Sequence, residues 1–365
     1  MKPIRILHIV SSMNLGGIET LLMSIYREID RNKVQFDFLV HRSEKGFFDD
    51  EIIKLGGEIH HIQPLNPIKY FIYRKQLKLF FNSNKQYSIV HSHLNENSSF
   101  ILAIAKKCGV KHRIAHSHVD QLGGAYTFIK AIIKKHINKV STKRFACSKQ
   151  AGLWLYENAE FSVFNNAINT NNFIFKSIIR DTLRNELKID SKTFVIGHIG
   201  SFKKPKNHVF IVDVFYYYLK LNPKSRLLLI GSGNLMPAIK QKAETLKVLD
   251  KIIFTGAIGN ANDYLNVMDL FLLPSLYEGL GIVAVEAQAN GLPILMSDNL
   301  PNELDITDLP KRLNLNIGAD KWANEINNMI NENKPRKGYE KYILKSGYDI
   351  NASANYLEGF YQSLK

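Results

Sequence analysis

A chain of 365 residues is too long for one ordinary core, so two domains of roughly 150–200 residues each are expected. Its hydrophobic content of 45% is that of a soluble globular protein, and no apolar run approaches the roughly 18–20 residues of a membrane span. The net charge of +15 is uneven: residues 59–156 hold sixteen Lys or Arg against two acids, Glu96 and Asp120, an asymmetry that bears on partners rather than on fold.

The chain opens with "MKPIRILHIVSSMNLGG". Ile6–Val10 is too short for the apolar core of a secretion signal. A buried strand ending in the turn residues Ser11–Gly17 fits better, and a cytoplasmic protein is expected. "GIETLLMSIYREI" follows as a helix with Leu21, Leu22, Ile25 and Ile29 on one face. "VQFDFLV" is the next strand, then a helix through Phe47–Leu55 and the strand "EIHHI". "SIVHSHL", "HRIAHSH" and "RFACS" are further short buried strands with helices between them. The polar, unperiodic "NNAINTNNF" places a domain boundary between about 165 and 192. Beyond it "FVIGHIG", "SRLLLIGSG", "KIIFTG", "DLFLLPS" and "PILMS" are strands, separated by helices such as "HVFIVDVFYYYLKL" and "PAIKQKAETL". Strand–helix alternation in both halves predicts parallel sheets covered on both faces. The expected organisation is α/β, with two doubly wound domains over 1–170 and 171–350 and a closing helix over 351–365 that joins the first. Cys108 and Cys147 form neither a metal nor a redox spacing and suit a reducing compartment.

Three stretches carry candidate chemistry. In "SLYEGLGIVAVEAQANGLP", Glu278 and Gly279 follow an apolar strand, at the edge where open α/β sheets bind ligands. The helix that begins near Gly281 or Ile282 points free N–H groups and the positive end of its dipole at that edge, which suits a phosphate. Glu286 lies about a turn further on, and a carboxylate accepts well from the hydroxyls of a diol. The helix is apolar almost all round, so it should be buried and its glutamate should need partners. In "GHIGSFKKPKNH" a strand runs into a lysine-rich turn before a helix, a geometry that suits a pyrophosphate. Gly16 and Gly17 open the first helix, where glycine lets backbone N–H groups approach a phosphate or sugar. Neither "NLGGIE" nor "GSGNLM" has the spacing of a dinucleotide-binding loop.

"PSLYEGLGIVAVEAQANGLPILMS" resembles the E-x7-E signature of family 4 glycosyltransferases, which have the GT-B fold of two Rossmann-like domains facing each other across a cleft. "SSMNLGGIETLL", "FACSKQAGLWLYENAEFSVFNNAINTNNF" and "LLLIGSGNLMPAIKQKAETLKVLDKIIFTG" extend the resemblance over most of the chain, with the nearest likeness to enzymes of capsular and exopolysaccharide assembly. The resemblance implies a retaining transferase that moves a sugar from a nucleotide-sugar donor, a UDP-sugar, to a glycan or polyprenyl-diphosphate-linked acceptor. It implies that Glu286 binds the donor ribose, that Glu278 faces the transferred sugar, and that Lys206 meets the diphosphate. Gly16, Gly17, Gly279, Leu280, Gly281 and Ile258 complete the donor-binding set. The family's usual arginine falls on Ser201, a departure, with Lys203 or Lys204 placed to compensate. The family's active-site histidine maps to "IAHSHVD", with His116 favoured and His118 the second choice, and the anomeric carbon is expected between it and Glu278.

The pairs "HSH" at 91–93 and 116–118 are zinc ligands by type. No Cys or acidic cluster accompanies them, and histidines one residue apart on a strand are read as splitting across its faces, so no metal is expected. For His91 and His93 a structural or cleft-lining role is expected. No D-x-D occurs, so transfer is expected to need no metal and no cofactor. "FIYRKQLKLFF" mixes Arg74, Lys75 and Lys78 with apolar residues. "FIKAIIKKHINKVSTKR" sets Ile129, Ile132, Ile133 and Val140 near one face and Lys130, Lys134, Lys135, Lys139 and Lys143 elsewhere. Such basic amphipathic helices read as candidates for the anionic inner membrane surface, and no nucleic-acid-binding module is evident. The rival readings are a sugar-nucleotide epimerase on the same fold and a non-catalytic nucleotide- or glycan-binding partner.

Overall fold

The computed structural model describes residues 2–66, 68–119, 127–330 and 335–365, with the backbone alone for 127–132. It divides into two compact units, Met1–Ile168 with Gly347–Lys365, and Asn169–Ser346.

Among its described residues the first unit holds seven strands: β1 (Ile4–Val10), β2 (Val34–Val40), β3 (Ile59–His61), β4 (Ile89–Ser92), β5 (His112–Ser117), β6 (Lys143–Ala146) and β7 (Ser162–Val163). They pair in parallel in the order β3-β2-β1-β4-β5-β6-β7. All seven residues of β2 are buried, as in a strand covered on both faces. Asp37 in its middle tolerates burial because Arg5 grips it from Nε at 2.6 Å and from a terminal nitrogen at 2.5 Å, and the Glu58 N–H donates to it at 2.7 Å. The closing helix Ile350–Gln362 places Ile350, Ala354, Leu357 and Tyr361 on one stripe and packs them into this unit's core.

The second unit holds β8 (Phe194–Ile199), β9 (Ser225–Ile230), β10 (Ile252–Gly256), β11 (Leu270–Leu273), β12 (Ile294–Ser297) and β13 (Pro310–Leu313), parallel in the order β10-β9-β8-β11-β12-β13. Its core sits between sheet and helices, with Trp322 of the helix Ala319–Ile330 fully buried. One element leaves no hydrophobic period to read. β13, "PKRL", is a short and polar edge strand. The helix Ser177–Glu186 turns Ile179 and Leu183 inward and adds charge to that hold: Arg180 and Arg184 both donate to Asp269, at 2.5 and 2.7 Å, and to backbone carbonyls of 266–268.

In each sheet the chain order reverses once, between β1 and β4 in the first unit and between β8 and β11 in the second. Open α/β sheets bind ligands outside the carboxyl ends of the strands at such switch points.

Candidate active site

The loops after β8 and β11 flank the second unit's switch point and are tied together. The Leu276 N–H donates to the Pro205 carbonyl at 2.8 Å, and Asn207 Nδ2 to the Pro274 carbonyl at 3.1 Å. Across this seam Lys206 Nζ donates to Glu278 Oε1 at 2.6 Å, and Ser275 Oγ donates to the same oxygen at 2.7 Å. Both charged side chains are mostly buried, so the ion pair is stronger than one in open solvent. Gly281, at φ +87°, caps the helix Ile282–Ala289. A Cβ there would lie 3.5 Å from Glu278 Cγ and in a backbone conformation that side chains disfavour. Glu286 sits one turn into that helix. Burial raises its carboxyl to about 7, opposed by the Lys206 ammonium.

The lysine-rich loop is packed from behind by the loop after β9. A Cβ on Gly231, at φ +138°, would lie 2.1 Å from the Gly200 carbonyl oxygen, and one on Gly233 would lie 2.6 Å from that of Phe202. Phe202 stacks on His208 at 4.0 Å between centroids, and His198 Nδ1 lies 2.8 Å from the Leu272 carbonyl. Burial, followed by the neighbouring Lys206, lowers His208 to about 4, so Lys206 stands beside a neutral ring.

In the first unit five histidines gather at the carboxyl ends of the three strands around the switch point: His8 from β1, His91 and His93 from β4 and just beyond it, His116 and His118 from β5 and just beyond it. All are 8% exposed or less. The splitting of each His-x-His pair across two faces, expected from the sequence, is corrected here. Alternate residues of a strand share a face. His91 and His93 accordingly stack at 4.4 Å, and His116 and His118 at 4.1 Å. Two triplets, His8–His91–His93 and His93–His116–His118, bring ring nitrogens within 4.8 Å of one another, close enough in ligand type and spacing to hold a metal ion. The hydrogen bonds follow a different logic. His93 lies between His8 and His118, at 3.1 and 3.0 Å, and His91 Nδ1 pairs with Tyr361 Oη at 2.7 Å. His116 has both ring nitrogens without a partner among the described residues.

The structure thus brings Lys206, Glu278, Gly281 and Glu286 together in the second unit, and His116 and His118 together in the first. Ser201, Lys203 and Lys204 are exposed on the loop, Leu280 is buried, and Gly279, between Glu278 and Leu280 in sequence, is half-buried. Ile258 follows β10, two strands from the switch point. Gly16 and Gly17 follow β1. A Cβ on Gly16 would meet the Glu19 carboxylate at 2.4 Å, the movable end of a long side chain, and one on Gly17 would meet nothing, so close packing within the chain requires glycine at neither position. Reading the sequence missed His8, Ser275, His198 and His208. His8, Ser275 and His198 are polar residues in or beside an apolar strand, and that pattern was the available signal; His208 opens the helix His208–Leu221 and gave none.

A family model described as glycosyl transferases group 1 matches residues 179–346. Over 368 residues the chain is 30% identical to EpsF of Bacillus subtilis, named for glycosyltransferase activity, spanning 98% of this chain and 96% of that one. It is 26% identical to the capsular polysaccharide biosynthesis glycosyltransferase CapH of Staphylococcus aureus, spanning 99% of both. It is 23% identical to the UDP-Gal:alpha-D-GlcNAc-diphosphoundecaprenol alpha-1,3-galactosyltransferase of Escherichia coli, over 81% and 80%. Anabaena Alr3699/HepE, crystallised with UDP and glucose, superposes with a TM-score of 0.82 at 17% identity over 98% and 99% of the chains. The fold is the GT-B fold that the sequence led us to expect.

Proposed function

Since this chain belongs to the group 1 glycosyltransferases, we propose that it transfers a sugar from a UDP-sugar to a lipid-linked glycan during assembly of a cell-surface polysaccharide, with retention of anomeric configuration. The observation that carries the reading is the Lys206–Glu278 pair astride the second unit's switch point, with Glu286 one turn behind it. In this reading the uridine ribose is held by Glu286. The diphosphate is met by Lys206 and by the free N–H groups at the start of the helix Ile282–Ala289, which offset the charge that grows on the leaving group. Glu278 holds Lys206 in place until the diphosphate arrives, then turns to the hydroxyls of the transferred sugar. Lysine and helix dipole take the part a metal plays elsewhere, so chelation leaves the rate unchanged. Lys203 and Lys204, exposed beside Ser201, supply long-range attraction in place of an arginine fork.

On the acceptor side burial separates the two histidine candidates. His116 is 1% exposed and enclosed by His91, His118, Phe145 and Phe164, while His118 stands beyond the end of β5 and is 8% exposed. We therefore assign the ligand-facing role to His118 rather than to the initially favoured His116. The lipid-linked acceptor is supported by the Escherichia coli relative's name and by the helix Tyr70–Ser83. That helix leaves Phe71, Ile72 and Leu79 exposed among Arg74, Lys75 and Lys78. Of the second basic stretch, the side chains of Ile129, Lys130 and Ile132 lie outside the described residues. Ile137 and Val140 turn into the core, and Lys135 and Lys139 face solvent. No helix among the described residues is long and apolar enough to cross a membrane, so attachment would be peripheral.

The test is transfer of labelled sugar from UDP-, GDP-, ADP- and dTDP-sugars to an undecaprenyl-diphosphate-linked acceptor. Turnover with the UDP-sugar is expected, and Lys206→Ala should lower kcat by about 10²–10³-fold. Transfer that is indifferent to Lys206, or conversion of the donor to an epimer without acceptor, overturns the reading.

A further inference from the structure

We propose that His8, His93 and His118 form one hydrogen-bonded imidazole chain, in which His93 and His8 are positioning residues that decide whether Nδ1 of His118 presents a proton or a lone pair to the ligand. The proposal rests on the assignment of His118 as the ligand-facing histidine.

Nδ1 of His8 lies 3.1 Å from Nε2 of His93, and Nδ1 of His93 lies 3.0 Å from Nε2 of His118. A neutral imidazole has one N–H and one lone pair, and His93 uses both on its neighbours. If His93 donates from Nδ1, then His118 accepts at Nε2 and carries its proton on Nδ1, while His8 must donate from its own Nδ1. If His93 donates from Nε2, every proton sits on Nε2 instead, and His118 shows a bare Nδ1. The three rings therefore share one tautomer. A mixed set would press two N–H groups or two lone pairs together at about 3 Å in a buried site, where an unmade hydrogen bond is costly.

Burial keeps the rings neutral, as this logic requires. It holds His8 and His118 down at about 3 and His93 well below the usual imidazole range, with the other histidines of the cluster adding to the last. Exchange between the two states would remove a proton from His118 Nδ1, add one to His8 Nε2, and shift both bridging protons by one ring. His8 is 0% exposed, its Nε2 has no partner among the described residues, and its ring lies against Phe36 and Phe38, at 4.2 and 5.7 Å between centroids. The other end, His118 Nδ1, is likewise buried and without a hydrogen-bond partner among the described residues, so before a ligand reaches it the fold and not the solvent selects the state. His91, bonded to Tyr361, and His116, whose ring nitrogens have no partner among the described residues, stack beside the chain without joining it.

The test is nitrogen NMR on the full-length, ¹⁵N-labelled protein without ligand. Two couplings through hydrogen bonds are expected, from His8 to His93 and from His93 to His118, with one tautomer shared by all three rings. His93→Phe keeps a ring in place and removes both bonds, so the His118 signals should move to the other tautomer or to a mixture. Tyr361→Phe, which keeps the ring beside His8 and removes only the hydroxyl bonded to His91, should leave them unchanged. With the donor and acceptor that the enzyme uses, His93→Phe should cost at least about tenfold in kcat with KM little altered. Absence of either coupling in the unmodified protein overturns the proposal, as do opposite tautomers within the chain. So do unchanged His118 signals in folded His93→Phe, or zinc bound to these rings as isolated. A protein that shows the couplings but transfers no sugar would instead sink the function proposed above and leave the chain of rings standing.

Discussion

Glu286 shows how one side chain can set a pH dependence. Its carboxyl, ordinarily near 4.5, is raised to about 7 by burial against the pull of Lys206. Below about 7 the folded protein therefore keeps this group neutral, while the unfolded chain sheds the proton near the ordinary value. The folded state is thus favoured below the ordinary value, and that advantage is lost as pH rises towards 7. Ligand binding runs the other way. An ionised carboxylate accepts from a diol more strongly than a neutral acid does. UDP affinity, measured by calorimetry, should rise with pH up to about 7, by as much as about tenfold per unit. Glu286→Gln should flatten that dependence and weaken binding by about 1.5–3 kcal/mol. A wild-type slope that persists in the variant would assign the titration to another group.

At the scale of elements, two glycines hold the loops after β8 and β9 against each other. Gly231 lets the Gly200 carbonyl approach to a distance at which a methyl group would collide with backbone, and its φ is one that alanine avoids. Gly231→Ala should therefore move the loop that carries Lys206, costing about 1–3 kcal/mol in stability and raising the Kd for UDP. Gly359→Ala in the closing helix, with nothing near its Cβ and no part in the candidate site, should lower neither stability nor UDP affinity. Paired thermal melts and UDP titrations of the two variants check this. Equal behaviour would show that the loops adjust freely. The helix Ser177–Glu186 makes a related point. Its apolar positions Ile179 and Leu183 lie one turn apart and are legible, whereas the hold of Arg180 and Arg184 on Asp269, 89 and 85 positions away, is not.

For the whole molecule the charge asymmetry leads to a prediction about surfaces. Phe71, Ile72 and Leu79 stand exposed on a helix with Lys75 and Lys78, a combination that favours an anionic bilayer over water. Sedimentation should show binding to phosphatidylglycerol vesicles and little to neutral ones. Lys75→Gln with Lys78→Gln should weaken it by about 2 kcal/mol, and equal binding to both vesicles would remove the electrostatic account. The parallel sheets could be read from sequence because apolar strands alternating with helices bury themselves in few other ways. The E-x7-E spacing could be read because a strand end and a helix start lie at fixed local distances. The Lys206–Glu278 pair joins residues 72 positions apart, and the histidine chain joins residues 85 and 25 apart. Those partners were decided only when strand order brought β8 beside β11 and β1 beside β4. Sequence periodicity records which face of an element is buried, and contacts between elements follow from sheet order, which no local pattern encodes.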